Sequence, residues 1–138
     1  MTAPIPPHGG TLIDRLLTGD ARLRALEEAA HLPILRLNDT GLADVEMIAT
    51  GALSPLTGFM SHVVYQAVLD TMHLPDGLPW TLPITLPVSA DSAARLRVGC
   101  DVALSDGQGR IVGLLALAEK FDYDKTAEAR QVYGTTDA

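Results

Sequence analysis

The hydrophobic period of this chain changes near Leu74, and no other sequence feature limits the possible folds as much. Before Leu74 apolar residues recur at one-turn spacing; after it they alternate. Three- or four-residue spacing lines up one face of a helix, whereas alternation lines up one face of a strand, so helices come first and strands later. Leu12, Ile13, Leu16 and Leu17 predict a short amphipathic helix ending near Gly19. Asp20 is placed to cap a second, which carries Leu23, Leu26, Ala29 and Ala30 and closes before Pro33. The run from Pro33 to Leu37 alternates weakly and predicts a strand. Asn38 or Asp39 then caps a helix holding Leu42, Val45 and Ile48, with Gly51 closing it, and Ser61 caps another through Val64, Val68, Leu69 and Met72.

Beyond Leu74, Pro75-Asp76-Gly77 is a turn signal and the run from Trp80 to Val88 alternates as a strand. Pro83 and Pro87 push that strand to a sheet edge or a bulge. Ser89 caps a short helix with Ala93, Ala94 and Leu96, ended at Val98-Gly99. The runs 101–105 and 111–117 flank Asp106-Gly107-Gln108-Gly109 as a hairpin, and Asp124 caps a last helix through Val132. Residues 1–10, rich in Pro and Gly, read as an extended arm. With no β-α-β alternation and no internal repeat, the expectation is an α+β fold with a small twisted sheet or barrel, one domain over residues 1–138.

Size supports that reading. A chain of 138 residues suits a single core; folding takes roughly 21,000 Å² of chain surface down to about 6,900 Å². Hydrophobic content of 47% with 20% charged residues lies in the globular range. Cys100 is the only cysteine, which excludes an internal disulfide and a cysteine-built zinc site and points to the reducing cytoplasm. The N-terminus has no secretory pattern and no stretch approaches the ~20 apolar residues of a membrane span, so secretion and membrane insertion are not expected.

Charge is distributed unevenly. Ten Lys and Arg face seventeen Asp and Glu, a formal charge of −7, and no Lys or Arg lies between Arg36 and Arg95, where Asp39, Asp44, Glu46, Asp70, Asp76 and Asp91 fall. Nucleic-acid binding draws its affinity from bases that neutralise phosphates, so no nucleic-acid partner is expected.

No catalytic, cofactor-binding or metal site emerges from the residues themselves. The run from Gly107 to Gly113 has one residue too many for a dinucleotide loop and leads into a strand rather than a helix, which makes it a hairpin turn. His8, His31, His62 and His73 show no three- or four-residue pairing of the kind that holds a metal. Ser54 lacks a Gly-x-Ser-x-Gly elbow. Cys100, beside Asp101, reads as an unreactive thiol, and Asp44 and Glu46 fall on different faces of their helix. Trp80 has no basic neighbour and reads as packing rather than as a base-stacking platform.

Four strings in order along the chain resemble one family. They are Pro7-His8-Gly9-Gly10-Thr11-Leu12; the long run from Met47 through Thr50-Gly51-Ala52-Leu53-Ser54-Pro55-Leu56-Thr57-Gly58-Phe59 to Met60; Trp80 with Pro83-Ile84-Thr85-Leu86; and Val132-Tyr133-Gly134-Thr135-Thr136-Asp137. Together they resemble the N-terminal part of sulfate adenylyltransferase, or ATP sulfurylase. The resemblance implies a PUA-like fold, a small mixed β-barrel with flanking helices. It also implies membership of an enzyme that makes adenosine 5′-phosphosulfate and pyrophosphate from Mg-ATP and sulfate. That family's Gln-x-Arg-Asn-Pro, His-x-x-His and Gly-Arg-Asp motifs lie in the catalytic domain that follows, and none occurs here. The chain also ends where the family continues into His-Pro-Gly-Val. The expectation is therefore a domain inactive alone, with the catalytic domain of the same enzyme as its partner and a homo-oligomer as the complete protein. His8, Gly9, Gly10 and the loop from Ser54 to Phe59 match family positions and are assigned to packing and interdomain contact.

Two other classes compete. A free-standing PUA-like module for RNA or another ligand is opposed by the acidic balance. An accessory subunit for a separate catalytic chain would carry an exposed apolar face.

Overall fold

The computed structural model describes residues 5–122 together with 125 and 128. The element order is α1 (Gly19–Ala29), β1 (Ile34–Arg36), α2 (Asp39–Thr50), α3 (His62–Thr71), α4 (Ala90–Arg95), β2 (Asp101–Ser105) and β3 (Ile111–Ala116). These elements fall into two compact units: Met1–Gly58 with Val88–Ala118, and Phe59–Pro87 with Glu119–Ala138.

The first unit is built on a three-stranded mixed sheet in the order β1-β2-β3. β2 is central and buried from Val102 to Ser105. It pairs in parallel with β1, Leu35 opposite Leu104, and antiparallel with β3, Val102 opposite Leu115. The short β1 alternates, Leu35 inward and Ile34 and Arg36 outward, as period two requires. Val102 and Ala103 are fully enclosed, and Ala29, Leu35, Leu37, Ile48, Leu56, Leu96 and Leu104 complete the apolar interior of this unit among the described residues. Burial of a valine such as Val102 contributes about 1.5–2 kcal/mol.

The caps explain where its helices begin and end. Asn38 Oδ1 accepts from the Gly41 amide at 2.8 Å, satisfying a donor that the first turn of α2 leaves unpaired. Gly51 closes α2 in the left-handed region at φ 88°. Ser89 Oγ accepts from the Ser92 amide at 3.2 Å at the start of α4. α1 begins one residue before the predicted cap: Thr18 is extended and makes no side-chain cap bond, while Asp20 sits in the first turn, where the helix dipole favours a negative charge.

The second unit is organised by α3, capped by Ser61 and buried along Tyr65, Val68 and Leu69, one stripe of the helix. Met60, Leu74 and Ile84 are buried with them. α3 ends at Met72, which adopts φ 55° and donates its amide to Val68 O. The predicted turn follows: Gly77 N donates to Leu74 O at 2.8 Å, and Asp76 Oδ1 accepts from Leu78 N.

Two sequence expectations require correction. Residues 11–18 form no helix despite their leucine spacing. Their amides are drawn elsewhere, with Ile13 N bonded to Ser54 Oγ and Arg15 N to Ala49 O. The run 80–88 forms no strand. Pro83 and Pro87 remove the donors a ladder needs, and the run is pinned at Ile84, whose carbonyl accepts from Met60 N at 2.8 Å. Consistent with this, the sheet is open among the described residues and does not close into a barrel. The predicted helix from Asp124 to Val132 lies outside the described residues, apart from Lys125 and Glu128, which are helical.

Candidate functional site

The family-matching strings near the N-terminus and in the loop after α2 meet at one joint inside the first unit. The turn at Pro7-His8-Gly9-Gly10 is closed by Gly10 N donating to Pro7 O at 2.9 Å, with both glycines at positive φ. Downstream, Ser54 is buried, and its hydroxyl donates to Gly51 O at 2.7 Å while accepting from Ile13 N at 3.0 Å. Gly51 faces the same strip of chain. A Cβ there would lie 2.5 Å from Ile13 O and 2.6 Å from Leu12 Cδ1, so the segment passes where only glycine leaves room. Leu56 N closes the loop by donating to Leu53 O, across a cis Ser54-Pro55 bond. Ser54 thus binds backbone on both sides, and among the described residues both hydrogen bonds of its hydroxyl go to main-chain groups.

The remaining residues singled out by sequence are dispersed. Among the described residues no three His, Cys, Asp or Glu side chains come together to hold a metal. His8, His31 and His73 are exposed, as is Cys100, which precedes β2. Trp80 donates its indole N–H to Leu82 O at 2.7 Å, and its polar edge therefore serves its own backbone.

The glycine-bearing turn between β2 and β3 is a hairpin organised by Asp106, a role absent from the sequence reading. Its Oδ1 accepts from the amides of Gln108 at 2.8 Å and Arg110 at 2.9 Å, and its Oδ2 pairs with Arg110 Nε at 2.8 Å. The Arg110 amide, the Gln108 amide and the Arg110 guanidinium outweigh burial and hold this carboxyl below the usual carboxylate range. Arg36 on β1 donates to Gly107 O, tying the turn to the far edge of the sheet. Asp44 on α2 shows the opposite behaviour, burial alone pushing its carboxyl up.

The second unit holds a ring cluster that sequence spacing could not reveal, because its partners come from opposite ends of that unit. His62 stacks on Phe121 with centroids 4.9 Å apart and an 18° interplanar angle, and Tyr65 lies 5.4 Å from the same ring. The His62 amide donates to Glu119 Oε1, and Tyr65 Oη donates to Glu128 Oε2 at 3.1 Å.

The described residues thus form helices around a small mixed sheet, with the joint at Ser54, the Asp106 hairpin and the ring cluster at Phe121 as their local features. A family model for the PUA-like domain matches residues 5–138, and the chain belongs to that family. It is 56% identical over 133 residues to a sulfate adenylyltransferase of Synechococcus sp. strain JA-3-3Ab, with 96% of this chain and 34% of the relative covered. It is 51% identical over 137 residues to a sulfate adenylyltransferase of Symbiobacterium thermophilum, with 99% and 35% covered. A solved structure described as a hexameric APS kinase from Thiobacillus denitrificans matches with a TM-score of 0.79 at 37% identity, over 87% of this chain and 24% of that one. The chain thus spans about a third of the length of the curated relatives it matches.

Proposed function

We propose that this chain is the N-terminal, PUA-like domain of a sulfate adenylyltransferase, with a structural and interdomain role and no catalysis of its own. The observation that supports it best is the 56% identity that runs through 96% of the chain yet accounts for 34% of the relative. In the reaction assigned to the whole polypeptide, a sulfate oxygen attacks the α-phosphorus of ATP, and the bond to the β-phosphate breaks to release pyrophosphate. Sulfate and a triphosphate brought together need several cationic donors, and the interval from Arg36 to Arg95 has no Lys or Arg to offer. Mg-ATP is therefore assigned to the rest of the polypeptide, as are a homo-oligomeric assembly and a cytoplasmic location. No helix among the described residues is long and apolar enough to cross a membrane. The reading also carries the small mixed barrel of the resemblance, of which β1, β2 and β3 would supply one part.

Sulfate-dependent exchange of labelled pyrophosphate into ATP tests this reading. The natural polypeptide that carries this segment is expected to catalyse the exchange, and residues 1–138 alone to give background. Exchange by the short chain overturns its inactivity; none by the natural polypeptide overturns the enzyme assignment.

One similarity favours a variant of the reading. A probable bifunctional SAT/APS kinase of Sorangium cellulosum is 46% identical over 133 residues, 23% of its length. The same domain therefore also fits at the head of a two-activity polypeptide.

A further inference from the structure

The chain contains two Asp-Gly pairs, Asp76-Gly77 in the second unit and Asp106-Gly107 in the first. An aspartyl carboxyl that precedes glycine is able to close on the next backbone amide, because glycine has no side chain to obstruct the ring. Both pairs start from the same contact. Asp76 Oδ1 accepts from Leu78 N at 3.0 Å and Asp106 Oδ1 from Gln108 N at 2.8 Å, in each case two residues on, which folds the carboxyl over the glycine peptide between. Their surroundings separate them. Asp106 is 4% exposed; its Oδ1 also accepts from Arg110 N, its Oδ2 pairs with Arg110 Nε, and Arg36 donates to Gly107 O. Asp76 is exposed and makes no ion pair among the described residues, and a Cβ added at Gly77 would meet nothing within 4 Å. One contact runs the other way: Gly77 N donates to Leu74 O at 2.8 Å, whereas Gly107 N makes no hydrogen bond among the described residues. At an exposed turn water replaces such a bond at small net cost, so the state of the carboxyl decides. Ring closure expels a carboxyl oxygen as water, which a neutral acid releases far more readily than a carboxylate, and Arg110 holds Asp106 in its charged form.

We propose that Asp76-Gly77 is a site of spontaneous backbone rearrangement to isoaspartate, and that Arg110 keeps Asp106-Gly107 from the same reaction. The Gly77 nitrogen attacks Asp76 Cγ; the new N–C bond forms, the amide proton and the carboxyl OH leave as water, and a cyclic imide joins the two residues. Water then adds to the former main-chain carbonyl of Asp76, and the bond from that carbon to Gly77 N breaks. The chain now runs through the side-chain carboxyl of Asp76, and the old main-chain carbonyl has become a free carboxylate. The water lost is regained, nothing is oxidised or reduced, and no co-reactant is needed. The product carries an extra methylene in the backbone of a turn where Leu74 N donates to Leu78 O and Trp80 N to Met72 O, each at 2.8 Å. The rearrangement therefore lengthens the link between α3 and the run 80–88.

Prolonged incubation of the natural polypeptide in heavy-oxygen water at neutral pH tests the proposal. Each ring opening leaves one heavy oxygen in the product, and digestion in ordinary water followed by mass spectrometry reads it at positions 76 and 106 of the same sample. The expected result is at least about tenfold more label at 76 than at 106 in the folded protein, and comparable labelling of the two in denaturant. Asp76→Glu, whose longer side chain would have to close a larger ring, is expected to abolish the label at 76. Arg110→Ala is expected to raise it at 106, with thermal melts checking that both variants fold. Label at 106 equal to or above that at 76 in the folded protein overturns the proposal. So does a tenfold difference that persists in denaturant, because the selectivity then lies in the flanking residues and not in the fold. Absence of label at 76 over a period in which the unfolded chain is labelled at both positions overturns it as well. Unchanged labelling at 106 in a folded Arg110→Ala protein overturns the protective role of Arg110.

Discussion

The amide of Ile13 is held by the hydroxyl of Ser54 at 3.0 Å across 41 positions of sequence, and that hydroxyl donates onward to Gly51 O at 2.7 Å. One small side chain therefore joins the N-terminal segment, the end of α2 and the loop that follows it.

Replacement of Ser54 by alanine removes this joint and leaves the Ile13 amide without its acceptor. The loss expected is about 1–3 kcal/mol of stability. Urea denaturation measures it, and hydrogen exchange at Ile13 is expected to accelerate beyond that of β2 amides, locating the loss at the joint.

Gly51→Ala is expected to cost at least as much, about 3 kcal/mol. It combines a left-handed backbone at φ 88° with a Cβ placed 2.5 Å from the Ile13 carbonyl oxygen, which is backbone and cannot swing aside. Gly109→Ala shares the positive φ but meets nothing within 4 Å. A smaller loss in that variant isolates the part due to close approach.

Asp106 makes the hairpin acid-sensitive. Its carboxyl lies below the usual range in the fold, chiefly through the Arg110 amide, so the charged form is the one the fold binds. That stabilisation is present above the unfolded carboxylate's pKa and disappears as pH falls through the lower folded value. Asp106→Asn is expected to melt below the parent at about pH 7, with the gap closing toward about pH 2. A constant gap across that range contradicts the assignment.

Asp44 has the reverse sign. Burial raises its pKa, so its contribution is favourable below the unfolded value and is lost as pH rises through the folded one. Asp44→Asn should therefore raise the denaturation midpoint at neutral pH and leave it unchanged in acid. Paired urea curves at the two pH values check this.

Short-range chemistry was legible in the residues. Asn38, Ser61 and Ser89 each cap the helix expected of them, because a cap is a bond between a side chain and an amide three residues on. The hairpin at Asp106-Gly107-Gln108-Gly109 follows from turn residues between two alternating runs. Gly51 was legible as a helix stop, but the crowding by Leu12 and Ile13 that also demands glycine was not. The course of residues 11–18 was less legible still. Leu12, Leu16 and Leu17 have helical spacing, yet nothing in that spacing says whether the amides between them will bond to one another or to Ser54 and Ala49.

By itself, then, the sequence determined the caps at Ser61 and Ser89, the hairpin and, through its ordered strings, the family, whereas β1 stands ahead of three of the four helices. Tertiary structure alone decided that residues 11–18 form no helix and that the run 80–88 stays out of the sheet. The reason is reach. A cap or a tight turn closes within five residues and is set by the groups it contains, whereas the backbone at Ile13, Arg15 and Ile84 takes partners 24 to 41 positions away. Those partners exist only once the rest of each unit has folded around them.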